Sequence, residues 1–180
     1  MHKESIQNHE TTSISRPLIV SYSYSGHTHQ IAQKIQRATG GDWCEIHPWQ
    51  PYPMAFPELL EQVKREVQSG YHPRLLPGSY SPRPYHVIFV GTPNWCGTIA
   101  PPLASWLYKN NLDGKIILPF YSHCGGASGD LRGDIARLCA KADVREALSV
   151  IDDGGEHLLE TLRQWFVRIG VADEVNVCAG

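Results

Sequence analysis

The chain has 180 residues, 42% of them apolar and 19% charged, a balance that fits one soluble globular domain with a core of its own. A formal net charge of −2 and a pI near 6.5 argue against a nucleic-acid binder, which would carry a basic stripe, and against a carrier with a strongly acidic docking face. No apolar run approaches the roughly 18 residues that span a bilayer, and the polar start MHKESIQNHETTSIS lacks a signal-peptide core, so a cytoplasmic location and no membrane partner are expected.

A polar tail is expected over residues 1–16, followed by one domain over 17–172 and a short tail over 173–180. Residues 17–22 read as a buried strand. Ile31, Ile35 and Ala38 then recur at helical spacing over 28–39, and Gly40-Gly41 stops that helix. Residues 42–47 are a short strand, followed by a proline-rich connection. Leu59, Leu60, Val63 and Val67 mark a second helix, ended by Gly70. Residues 71–84, with prolines at 73, 77, 82 and 84, read as a long stiffened loop. Residues 86–93 are the clearest buried strand. A helix follows around Leu103, Trp106 and Leu107, with Pro101 and Pro102 in its first turn. Residues 115–122 form a fourth strand, 128–140 a helix, 144–151 a fifth strand, and Leu158 to Ile169 a last amphipathic helix.

Strands alternating with helices predict an α/β fold with a doubly wound, five-stranded parallel sheet covered on both faces. Ligands of such sheets bind beyond the carboxyl ends of the strands. The informative loops are therefore 23–28, 92–99 and 122–129. The five cysteines, Cys44, Cys96, Cys124, Cys139 and Cys178, are odd in number and form no C-x-x-C pair. Reduced thiols are expected, with no disulfide framework and no metal site.

In the first loop, Ser23, Ser25 and Thr28 offer hydroxyls, Gly26 lets the chain turn, and the amides that follow open a helix, where an anion is favoured. That is a phosphate cradle without the lysine of a P-loop and without G-x-G-x-x-G. The alternative is an ordinary helix cap, which needs only one of those hydroxyls. In the second loop, Trp95 could stack on a flat ring, with Pro93, Asn94 and Gly97 shaping the wall, or pack under the sheet as a core residue. The third loop, YSHCGGASGD, lets backbone approach a planar ligand at Gly125 and Gly126, with Ser122 and His123 as polar handles. Its alternative is a flexible turn. It is not a nucleophile elbow, because Asp130 stands where G-x-S-x-G needs glycine. One loop for a phosphate and two for a ring describe a mononucleotide with a large planar head, and FMN meets that description.

The stretch S-x-S-G-H-T after the first strand resembles the phosphate motif of flavodoxins. GTPNWCGTIAPPLASWL, LDGKIILPFYSHCGGASGD and EIHPWQPYP resemble, in the same order, segments of a short-chain flavodoxin-like FMN family. The resemblance implies a flavodoxin-like three-layer αβα sandwich with strand order 2-1-3-4-5. It places Ser23, Ser25, Gly26, His27 and Thr28 at the phosphate, Pro93, Asn94, Trp95, Cys96 and Gly97 at the first ring loop, and Ser122, His123, Gly125 and Gly126 at the second. His27 stands where the family has asparagine, and Cys96 replaces a second tryptophan.

The implied function is electron transfer or FMN-dependent oxidoreduction. His123 is the candidate proton donor. The partners would be a redox protein, or NAD(P)H with a quinone or similar small acceptor, and a homodimer is left open. The alternative is a non-catalytic FMN-binding module with a sensory or structural role.

Overall fold

Short apolar runs form the centre of the molecule because both of their faces are covered. The computed structural model describes residues 16–78, 80–126 and 128–171. The two tails expected over 1–16 and 173–180, Arg16 excepted, lie outside the described residues, as does Cys178. Among the described residues, seven strands form one sheet: β1 (Leu18–Ser21), β2 (Asp42–Glu45), β3 (Val87–Trp95), β4 (Thr98–Ile99), β5 (Ile116–His123), β6 (Asp143–Val144) and β7 (Leu148–Ile151). The path β2-β1-β3-β5-β6 is parallel throughout. Without the small β4, and with β6 and β7 taken as one broken strand, this is the expected order 2-1-3-4-5.

Strand alternation divides the core in two. Leu18, Val20, Ile88 and Val90 pack toward α2 (Phe56–Ser69), α3 (Pro101–Lys109) and α4 (Leu131–Leu138). Ile19, Val87 and Phe89 pack toward α1 (His27–Thr39) and α5 (Leu158–Arg168), where Trp165 and Phe166 are fully enclosed. Three layers result. The central strands approach closely at Gly91, where a Cβ would lie 2.2 Å from the Phe120 ring.

Two elements differ from the sequence expectation. The strand expected to end at residue 93 runs on to Trp95 and folds back antiparallel as β4, with Asn94 opposite Ile99 and Trp95 opposite Thr98. Cys96 and Gly97 make the turn at φ of +54° and +81°. Two successive left-handed residues form the turn whose twist matches a two-residue hairpin.

The strand expected over 144–151 is two strands, and Pro119 explains the break. β6 pairs with Ile116–Ile117, and β7 pairs with Phe120–His123. The Arg145 amide donates to the Ile117 carbonyl at 3.0 Å. A parallel ladder would next need the amide of residue 119 to donate to the Arg145 carbonyl, and proline has no such hydrogen. Arg132 of α4 fills the gap. Its Nε donates to the Arg145 carbonyl at 3.2 Å, and its Nη2 to the Val144 carbonyl at 2.6 Å.

Candidate functional site

The carboxyl ends of β1, β3 and β5 lie side by side. Ser21 pairs with Gly91, and Pro93 pairs with Ser122, so the three informative loops leave one edge of the sheet. The sheet register brings residues about 100 positions apart to a common rim.

The first loop is an open helix start. Gly26 caps α1 at φ +94°, no side chain caps the helix, and its first turn holds no acidic residue. The contrast is α4, whose cap Asp130 accepts from the Gly133 amide. The leading amides of α1 have no carbonyl one turn back, and the helix dipole makes their surroundings favourable for an anion. Ser23 Oγ accepts from the Gly26 amide at 3.1 Å, which shapes the turn and leaves the hydroxyl proton free to donate outward. Ser25 is exposed beside it. Thr28 is used differently. It is 1% exposed, and its hydroxyl lies 2.8 Å from that of Ser122, joining the first loop to the third. The His27 ring is turned toward Asp152, with Nδ1 3.7 Å from the carboxylate, so the group His27 offers an anion is its backbone amide. His29 Nδ1 lies 3.0 Å from Glu45 Oε2, and its ring meets the Trp43 edge.

Trp95 stands at the top of an aromatic group. Its ring meets those of Tyr22, Tyr24 and Tyr52 at near-right angles, with centroids 5.5, 5.7 and 4.9 Å apart. Edge-to-face contacts of this kind hold an indole in one orientation. It is half-buried: one part packs against the core and the rest is left at the second loop. Tyr24 donates its hydroxyl to the Pro53 carbonyl at 2.7 Å, and Tyr52 donates to Glu66 at 2.5 Å. Burial pushes the Tyr22 and Tyr52 phenols well above their ordinary value, so both remain protonated. None of the three tyrosines was singled out from sequence. For Tyr22 and Tyr24 the signal was their alternation with serine in S-Y-S-Y-S, where only the serines were weighed; Tyr52 lies in the proline-rich segment after the second strand.

Asn94 ties the second loop to the third. Its Oδ1 accepts from the Gly97 amide at 3.0 Å, and its Nδ2 donates to the Ser128 carbonyl at 2.9 Å. The two loops then touch at backbone level, because a Cβ on Gly129 would lie 1.7 Å from the Gly97 carbonyl oxygen. Gly125 and Gly126 are different, since a Cβ at either would meet nothing within 4 Å. They border open space at the rim. His123 Nδ1 accepts from the Gly125 amide at 3.1 Å. In the neutral ring the proton therefore sits on Nε2.

The arrangement offers amide and hydroxyl donors at one end, a fixed indole at the second loop, and unobstructed backbone at the third. That donor set suits an anion joined to an apolar ring. Cys96 and Cys124 are exposed free thiols at the same rim. No helix among the described residues is long and apolar enough to cross a membrane.

Comparison with known proteins bears on the family and the fold. The sequence profile of the family described as Flavodoxin matches residues 16–168. No curated protein matches the chain. A candidate flavoprotein from Bacteroides eggerthii superposes with a TM-score of 0.75 at 23% identity, covering 87% of this chain and 99% of its own. A flavoprotein from Lactobacillus acidophilus, solved in complex with FMN, superposes at 0.66 with 18% identity, covering 84% and 98%. Oxidised flavodoxin 2 from Bacillus cereus superposes at 0.53 with 17% identity, covering 87% and 98%. At these identities the solved structures speak for the fold. The profile match covers most of the residues, and the sheet has the order that the motifs implied: the chain belongs to the flavodoxin family.

Proposed function

We propose that the chain binds FMN across the three loops and works in electron transfer or as an FMN-dependent oxidoreductase. The observation that carries this reading is the α1 N-terminus, left without a side-chain cap or an acid beside the Ser23 and Ser25 hydroxyls. The leading amides of α1, at His27 and Thr28, and those two hydroxyls would hold the phosphate. Pro93, Asn94, Trp95, Cys96 and Gly97 would form one wall for the ring, and Ser122, His123, Gly125 and Gly126 the other.

Bound FMN supplies the chemistry of accepting and releasing electrons and protons at its ring. The chain's own task is to position and to exclude water. Trp95 does both, because three tyrosines brace it. His123 holds the third loop through Nδ1 and keeps Nε2–H to donate to a group between the loops. NAD(P)H as reductant and a small quinone-like acceptor are the finer proposal, resting on analogy within the family. A redox partner protein is its competitor. The exposed Trp49 and Tyr71 beside the proline-rich segments support a contact between two copies of the chain. The free thiols support a reducing, cytoplasmic setting.

The test is to add FMN to the purified full-length chain, dialyse, and record the visible spectrum. Retained flavin absorption supports the reading. Anaerobic titration with NADH and NADPH then separates a reductase, which bleaches, from a carrier, which does not. A chain that neither retains nor rebinds flavin sinks the proposal.

A further inference from the structure

A crevice of about 210 Å³ opens between α2 and the β3–β4 hairpin. The helix contributes Phe56, Leu59, Leu60 and Val63, and the hairpin contributes Trp95 and Cys96. No described residue of the first or third loop lines it. It is thus a second opening, sharing one wall with the candidate flavin site.

Its chemistry restricts the occupant. Among the described residues of the lining, the Cys96 thiol is the one ionisable group and Asn94 the one side-chain amide. That amide is spent, since Oδ1 takes the Gly97 amide and Nδ2 gives to Ser128. A charged or strongly polar guest would lose its hydration there and find no charged partner, only the Trp95 indole N–H and the Cys96 thiol among the side chains. The volume equals about seven water molecules and lies below the roughly 300 Å³ where drug-sized pockets begin. One six-membered ring with small substituents fits that space. A dinucleotide does not, and its phosphates would find no cation.

The walls are held ready for a ring. Leu59 and Val63 are buried and form a fixed floor. Trp95 is kept upright by Tyr22, Tyr24 and Tyr52, so it does not collapse into the space beside it. Phe56 is 70% exposed at the mouth, an apolar rim left in water while the crevice is empty.

We propose that this crevice binds an uncharged, one-ring quinone. Trp95 and Cys96 belong both to the crevice and to the loop assigned to the flavin ring, so the guest lies against the hairpin that would face FMN. The choice of a quinone among uncharged one-ring guests, and its role as electron acceptor, rest on the FMN reading. Binding of such a ring does not, and the two can fail separately.

The probe is duroquinone, a benzoquinone with a methyl group on every ring carbon that carries no oxygen. It therefore has no vacant ring position for addition of the Cys96 thiol. Titrated into the full-length chain without FMN and followed by amide NMR, it should shift residues 59–63 and 94–97. Two variants check the location: Leu60→Trp fills the space with apolar volume, and Leu60→Glu places a carboxylate in it. Each should weaken duroquinone binding at least tenfold, while FMN affinity, read from quenching of flavin fluorescence, stays within twofold. The inference is overturned by shifts centred on 27–28 and 125–126, or by wild-type quinone affinity in both variants. If duroquinone binds as expected and FMN does not bind, the crevice stands and the proposed function falls. If FMN binds and duroquinone shifts nothing at 59–63, the reverse holds.

Discussion

The Thr28 hydroxyl lies 2.8 Å from the Ser122 hydroxyl, and both residues are buried. One residue lies in the first turn of α1 and the other near the end of β5, so the bond joins the first loop to the third. Whichever hydroxyl accepts keeps its own proton for another acceptor. Thr28→Val and Ser122→Ala should each lower stability by about 1–3 kcal/mol, because each strands the other hydroxyl in the interior. The double variant should cost less than the two losses added together, as read from urea unfolding. Strict additivity would show that the two hydroxyls act independently.

Gly129 and Gly126 lie three residues apart and should respond oppositely to alanine. At Gly129 the new Cβ would sit 1.7 Å from the Gly97 oxygen on a backbone with φ +91°, so the hairpin and third loop must part. Gly129→Ala should destabilise by about 1–3 kcal/mol or more. At Gly126 the Cβ meets open space. Gly126→Ala should leave thermal unfolding unchanged and yet weaken FMN if the ring lies against that backbone. Unchanged FMN affinity would move the ring elsewhere.

Arg132 substitutes for the donor that Pro119 lacks, bonding the Val144 and Arg145 carbonyls. Arg132→Met keeps most of the stem and removes the guanidinium. It should cost about 1.5–3 kcal/mol, the range for a hydrogen bond from a charged group. Amide exchange at 143–145 should speed up more than at 148–151. Equal acceleration in both strands would mean that Arg132 supports the sheet only globally.

Stability should decline at alkaline pH. Burial pushes the Cys139 thiol from 9.0 up to about 11. Burial also raises the Tyr22 and Tyr52 phenols above 10.0, with the Tyr24 neighbour adding in the first and the Glu66 hydrogen bond in the second. An acid with a raised folded pKa keeps its proton in the native state and loses it sooner when unfolded. Its contribution is complete below the unfolded value and disappears as pH climbs through the folded one. Urea midpoints should therefore hold to about pH 9 and fall beyond it, the thiol acting first and the phenols above about 10. Cys139→Ala should flatten the first part of the decline, and an unchanged slope there would contradict this assignment.

Much of the fold was legible because its signals are local. Leu18–Val20 and Val87–Val90 are apolar at every position, as a strand covered on both faces requires. Ser23, Ser25 and Gly26 between such a strand and a helical pattern also marked an uncapped helix start, the kind of place an anion favours. The split of the fifth strand was half legible. Pro119 is plain in the sequence, but the partner that loses its donor follows only from the register of β5 with β6 and β7.

What the residues alone determined was therefore period and chemistry: where strands and helices alternate, and which turns carry hydroxyls or bare backbone. What required the folded chain was contact across distance. Trp95 serves as a braced wall because Tyr52, 43 residues earlier, comes back beneath it. His27 turns to Asp152 because β7 ends beside α1, and Thr28 meets Ser122 across a sequence separation of 94. Backbone conformation is set by neighbours in sequence, whereas these partners are chosen by which strand ends the sheet register brings to one edge.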